Sequence, residues 1–230
     1  MKIAVLLSGC GVYDGAEIQE SVFTLAAIAR NGGTYQVFAP DMEMYHVIDH
    51  TSGNEMPEKR NVLIEAARIA RGNIRNITEY QAGDFDALIL PGGFGTAKNL
   101  TDWAFKGADA QVQASVADAI VATYNTGKVI GAFCMAPVVV AKAFEQAGIQ
   151  ALLSAGSTEA PSPYDIAAIH AGIQSTGMQT CNTSINEIST DTGNRIVCAP
   201  CYMLDAGILE VQNNIETAVA AIAELIRRNA

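Results

Sequence analysis

The chain has 230 residues, half of them apolar, 17 % of them charged, and a formal net charge of −10. That length and apolar content suit one domain with a substantial core, and the sparse, negative charge argues against nucleic acid or an anionic membrane as a partner. The apolar start at residues 3–7 is too short for a signal-peptide core, no uncharged stretch of about 18 apolar residues suggests a membrane span, and five cysteines without framework spacing fit reduced thiols in the cytoplasm.

Residues 2–8, rich in Ile, Val and Leu and followed by Gly9, predict a first buried strand. The glycines of the next loop, 8–15, do not match G-x-G-x-x-G spacing, so no phosphate site is read there. From 16 to 30, Ile18, Val22, Leu25, Ala26 and Ile28 recur as on a helix, which Asn31-Gly32-Gly33 stops. Residues 35–38 are a second strand. The polar, irregular stretch 41–60 is long enough to be either functional or unstructured. Helical spacing resumes over 61–70, and 74–80 is a short strand candidate. A third apolar strand, 84–90, runs into Pro91-Gly92-Gly93-Phe94-Gly95. There, N–H groups unshielded by side chains can approach a ligand, although an ordinary tight turn is the plainer account.

Helical stretches near 98–105 and over 110–124 lead to a strand at 129–133, and 138–144 is helical again. Cys134 therefore sits on a strand-to-helix turn, pushed into the crevice at the carboxyl edge of a sheet. The N–H groups of the next helix favour its thiolate; a small apolar residue packed at a strand end would look the same in sequence. The alternation of strands and helices predicts an α/β fold, a mostly parallel sheet covered on both faces. Beyond Gly148 come a short strand at 151–154, a proline-containing loop at 156–163 and a helix at 164–173. A C-terminal β-hairpin follows, 185–190 and 195–198, with Gly193 and Asn194 supplying its tight turn. Residues 215–228 form the closing helix. Without a repeat or linker, 1–230 reads as a single domain.

Other chemistry-bearing residues are weaker signals. His46 and His50 are four apart but lack a third ligand, so no metal site is read; His50 is kept as an acid or base lining the crevice. Cys198-Ala199-Pro200-Cys201 reads as two strand-end thiols, because thioredoxin-like motifs open a helix after an early strand. Cys10, in the first loop, falls close to Cys134 and either lines the pocket or packs. Lys98 follows the glycine turn and either holds an anionic substrate group or is solvated.

In order along the chain, SGCGVYDGAEI, FAPD, RNVLIEAARIARG, LPGGFGTAKNL and CMAP resemble the PfpI-type superfamily, which is related to the class I glutamine amidotransferases. Within it they are most similar to the ElbB subgroup and its mitochondrial ES-one relatives, densely up to about Pro137 and more loosely beyond. The resemblance implies a flavodoxin-like three-layer αβα sandwich, a homodimer and no cofactor. It puts Cys134 on the family's nucleophile elbow and Glu20 on the glutamate whose protonated carboxyl holds the cysteine sulfur, with Glu17 one turn earlier. Acidic residues at a helix start are otherwise common for dipole reasons alone. The Gly92-Gly93 turn and the N–H of Met135 would form the oxyanion hole.

The chain also departs from the pattern. Met135 stands where many active relatives carry His. The only His beyond Cys134 is His170, followed by Ala171-Gly172, so neither a glutaminase nor a protease triad assembles. What the resemblance leaves is a glyoxalase III-type lyase acting on a small carbonyl substrate, a 2-oxoaldehyde, without glutathione or metal. The alternative is a regulatory protein linked to isoprenoid biosynthesis that senses carbonyls or oxidants through Cys134.

Overall fold

Nine strands occur in a computed structural model that describes residues 1–228: β1 (Lys2–Leu6), β2 (Thr34–Ala39), β3 (Ile74–Asn76), β4 (Ala87–Leu90), β5 (Val129–Phe133), β6 (Leu152–Leu153), β7 (Gln179–Thr180), β8 (Ser189–Asp191) and β9 (Ile196–Ala199). Seven of them form one sheet in the order β3-β2-β1-β4-β5-β9-β8, parallel except for the edge strand β8. Strands β4, β5 and β9 are buried along their whole length, which is why their sequences are continuously apolar rather than alternating.

The helices are α1 (Ile18–Arg30), α2 (Val62–Ile69), α3 (Trp103–Lys106), α4 (Ala114–Asn125), α5 (Pro137–Ala147), α6 (Ile166–Ser175) and α7 (Ile208–Arg228). On one face of the sheet α1 packs against α7 and α2; on the other α4 packs against α5. Local chemistry sets their ends. The Glu17 carboxylate caps α1 by accepting the Glu20 N–H at 2.6 Å, and the Asn61 side chain caps α2. Pro137 opens α5 at a position where its missing N–H costs nothing, and left-handed Gly148 closes it. Among the described residues no helix is long and apolar enough to cross a membrane.

Several expectations change in detail. The 74–80 candidate is strand only to Asn76, whose side chain then caps a 3-10 turn at Ile77–Glu79. The 98–105 helix divides into a π-helical turn, Thr96–Leu100, and α3. The hairpin between β8 and β9 turns differently from the Gly193-Asn194 expectation. Its left-handed residue is Arg195 (φ 59°), while the Asp191 carboxylate shapes the turn by accepting the Asn194 N–H at 3.0 Å. The closing helix begins two turns earlier than its apolar spacing suggests; β6 falls inside the 151–154 strand candidate, whereas its two-residue partner β7 is too short to leave a periodic signal.

The stretch 41–60 has no helix or strand, but the isolated bridges Glu43 to Asn61 and Ile48 to Glu55 fold it back on itself. It is tied to the loop after β1: the Ile48 N–H donates to Asp14 Oδ2 at 2.7 Å. The glycines of that loop meet those of the loop after β4. A Cβ on Gly95 would lie 2.6 Å from Gly15 Cα, and one on Gly93 would lie 2.4 Å from the Glu17 nitrogen. Close backbone packing at the carboxyl edge of the sheet thus accounts for both glycine-rich stretches.

Candidate functional site

Cys134 follows β5 directly and takes a left-handed conformation, φ 56°. A non-glycine residue held there stores about 1 kcal/mol or more of strain, and its N–H is fixed by Ala199 O at 2.8 Å on the neighbouring strand β9. Glu20 comes from the first turn of α1 and is wholly buried. Its Oε2 accepts the Gly92 N–H at 2.9 Å, its Oε1 accepts the Tyr202 N–H at 3.3 Å, and its carboxyl also bonds the Cys134 sulfur. Gly92 makes this convergence possible. A methyl group there would lie 2.3 Å from Cys134 Cβ, 2.6 Å from its sulfur and 2.7 Å from Glu20 Oε2.

Burial raises the Glu20 carboxyl to about 8, with the charge of Glu17 adding to it and the hydrogen bonds from Cys134, Tyr202 and Gly92 opposing it. Burial, and then the charge of Glu20, pushes the Cys134 thiol well above its ordinary value, although the N–H groups of Gly93 and Met135 face the sulfur. The expected thiolate preference from the helix start is therefore overridden: desolvation outweighs the amide dipoles. Cys134 and Glu20 form one coupled pair whose protons belong to both.

Cys134 opens the pair onto a narrow pocket lined by Val12, Glu17, Gly93, Phe94, Cys134, Met135, Tyr164, Tyr202 and Met203, with Glu20 buried behind the sulfur. The wall is largely apolar. Burial, and then the charges of Cys134 and Glu20, raise the Tyr164 phenol to about 12, so it stays a proton donor. The Tyr202 hydroxyl is held by the Gln19 side chain.

Of the sequence-predicted residues, Cys134, Glu20, Glu17, Gly93 and Met135 come together at this edge, and three others do not. Cys10 does not line the pocket; Asp14, Arg60, Glu65 and Arg68 are its charged neighbours. Lys98 donates from Nζ to Tyr13 O at 2.9 Å and lies 5.6 Å from the Phe94 ring centre, bracing the first loop from behind the wall. His50 has both ring nitrogens engaged, Nε2 accepting the Tyr13 N–H at 3.2 Å and Nδ1 bonding Ile48 O at 3.0 Å, so it serves the loop and not the thiol. Gly92 stays at the site, but its N–H is committed to Glu20 and is no free oxyanion donor. His50→Ala is expected to cost about 1 kcal/mol in urea unfolding while changing the alkylation rate of Cys134 by less than about twofold.

His46 approaches Glu55 at 4.0 Å and no second histidine, and His170 accepts the Ala155 N–H at 3.2 Å inside the fold. Sequence reasoning missed Val12, Phe94, Tyr164, Tyr202, Met203 and the position of Cys201. The available signal was the carboxyl-edge rule itself. Because β9 runs parallel beside β5, the residues after it face the same crevice as Cys134; read only as a hairpin arm, it hid them.

A mostly parallel sheet with a left-handed cysteine after β5 and a buried glutamate from α1 gives this chain a class I glutamine amidotransferase-like fold, of the kind also seen in DJ-1 proteins. No family model matches the chain. It is 38 % identical, over 97 % of its length and 83 % of the relative's, to the human glutamine amidotransferase-like class 1 domain-containing protein 3, mitochondrial. It is 28 % identical, with TM-score 0.87 and 97 % and 99 % of the two chains covered, to an isoprenoid biosynthesis protein with amidotransferase-like domain from Ehrlichia chaffeensis. Drosophila melanogaster DJ-1beta shares the fold at 15 % identity and TM-score 0.52, covering 99 % and 94 %. The chain belongs to the glutamine amidotransferase-like class 1 domain-containing family, which includes the ES1 proteins, and the ElbB likeness read from its motifs holds in the fold.

Proposed function

We propose that this chain converts a small 2-oxoaldehyde, such as methylglyoxal, to a 2-hydroxy acid through Cys134. The observation that carries this reading is the strained Cys134 at the wall of a small apolar pocket, with the buried Glu20 carboxyl against its sulfur. A carboxyl whose pKa is raised to about 8 gives and takes a proton at similar cost near neutral pH.

The chemistry starts from the pair holding one proton. The sulfur adds to the aldehyde carbon, and the new alkoxide takes the proton from Glu20, giving a hemithioacetal and a carboxylate. That carboxylate removes the C–H proton of the same carbon, forming an enediolate, and returns it to the neighbouring carbon. The hydroxyl proton on the first carbon passes to the second oxygen, which leaves a thioester. Water then cleaves the carbon–sulfur bond, releasing the 2-hydroxy acid anion and one proton to solvent and restoring the one-proton pair. The N–H groups of Gly93 and Met135, and the Tyr164 phenol, are the donors available to the developing oxyanions. Met135 in place of a histidine leaves no imidazole beside the thiol, so turnover is expected to be slow.

The test is D- and L-lactate formed from methylglyoxal by wild type and Cys134→Ala. Loss of at least about 10²-fold in the variant is expected; equal turnover would overturn the reading. A stoichiometric adduct on Cys134 in wild type, without lactate, would instead support the carbonyl- or oxidant-sensing alternative. Because the one-proton form reacts, kcat/KM is expected to rise with pH toward about 8 and level above it. A profile that falls over that range would contradict the assignment of Glu20.

A further inference from the structure

Cys201 lies on the turn that delivers Tyr202 and Met203 to the pocket, yet the chemistry above does not use it. Strands β5 and β9 are parallel and in register, Phe133 opposite Ala199. The cysteines just beyond them, Cys134 and Cys201, therefore leave adjacent strand ends toward the same edge. The Cys134 N–H, bonded to Ala199 O at 2.8 Å, also faces the Cys201 sulfur. Glu20 spans both, its carboxyl meeting the Cys134 sulfur while Oε1 takes the N–H of Tyr202, the residue after Cys201, at 3.3 Å.

Both cysteines are left-handed, φ 56° and 49°. Among the described residues only Arg71 and Arg195 share that conformation without being glycine, and they lie in turns that end a helix and a hairpin. The strain at Cys201 is held from α7: Asn214 Oδ1 accepts the Cys201 N–H at 3.1 Å, and Asn214 Nδ2 donates to Glu187 O at 2.7 Å. Backbone strain that is braced in this way at two neighbouring thiols points to their positions being used. Exposure separates their roles. Cys134 lines the pocket, whereas Cys201 is wholly buried and does not line it. Cys198, the other thiol of the C-x-x-C, sits within β9, where its neighbours are Ser154 and Cys181.

We propose that Cys134 and Cys201 are a redox pair, in which a hydroperoxide oxidises Cys134 and Cys201 resolves it as an intramolecular disulfide. The Cys134 sulfur attacks the outer peroxide oxygen, the O–O bond breaks, and the alcohol, or water from hydrogen peroxide, leaves with Cys134 as sulfenic acid. The Cys201 sulfur then attacks the sulfenic sulfur. The S–S bond forms, the S–OH bond breaks, and hydroxide departs as water with the Cys201 thiol proton. A small dithiol reductant reopens the bridge by exchange. This inference shares Cys134 with the 2-oxoaldehyde reading but does not rest on it.

The test treats full-length wild type with one equivalent of hydrogen peroxide, denatures it in N-ethylmaleimide and maps the peptides. A Cys134–Cys201 linked pair, lighter by two hydrogens than the separate peptides and absent after dithiothreitol, is expected. Cys198→Ser is expected to form the same bridge. Cys201→Ser is expected to carry oxygen on Cys134 and no bridge. Wild type with oxidised Cys134 and fully maleimide-labelled Cys201, or with a Cys198–Cys201 bridge instead, would overturn the proposal. The wild-type map alone decides it, whatever the variants' stability, and lactate formation is read separately.

Discussion

Gly92→Ala is expected to abolish acid formation from methylglyoxal and to destabilise the protein by about 3 kcal/mol, the upper end of overpacking costs in a well-packed core. The added methyl would stand 2.3 Å from Cys134 Cβ, inside any possible contact, and 2.7 Å from Glu20 Oε2. Neither neighbour has room to withdraw: Cys134 is held by Ala199 O, and the Glu20 carboxyl by two backbone N–H groups. Relief must come from moving the 91–95 turn away from β5, which also breaks its packing on the first loop. Urea unfolding and lactate assays on the same preparations measure both effects. A folded Gly92→Ala with wild-type turnover would mean that Glu20 need not touch the thiol.

Glu20→Gln should reverse its effect on stability with pH. The folded carboxyl has its pKa raised from 4.5 to about 8, chiefly by burial, so the native state holds the extra proton between those values. Stability from this group is complete below about 4.5 and is lost as pH rises through about 8. At about 1.4 kcal/mol per pH unit, the loss approaches 5 kcal/mol by pH 9. Gln carries no such proton and lacks that slope. At pH 5, however, its amide NH2 cannot accept the N–H of Gly92 or Tyr202, which costs about 1 kcal/mol. Glu20→Gln is thus expected to be less stable than wild type at pH 5 and more stable at pH 9. Parallel unfolding midpoints across that range would refute a buried, proton-holding Glu20.

The residues whose chemistry is local were legible without a structure. Long apolar runs marked β1, β4 and β5, because strands buried on both faces have no polar alternation to hide them. Cys134 stood out because a strand that ends in Cys-x-x-Pro and resumes as a helix leaves one side chain at the turn. Short elements were only partly legible: β3 and β6 lay within their strand candidates, but the two-residue β7 carries no period, and the hairpin turn took its shape from Asp191, a side-chain contact that turn propensities do not encode.

The site divides along the same line. The family resemblance brought Glu20 to Cys134, and the fold brought them into contact; Cys10 and Lys98 lie in the motif stretches beside the glycine turns, and His50 in the irregular 41–60 stretch, yet all three face elsewhere, since position along the chain does not decide which side of a loop a side chain takes. By itself the sequence determined an α/β sheet, a cysteine at its carboxyl edge and an acidic first helical turn, all of which follow from periodicity and local backbone preference. Only the tertiary structure decided that Glu20 is wholly buried, that burial outweighs the helix dipole at Cys134, and that β9 carries Cys201 and Tyr202 to the same edge. The reason is physical: desolvation and parallel strand pairing both depend on groups far apart in the chain, and neither leaves a local pattern to read.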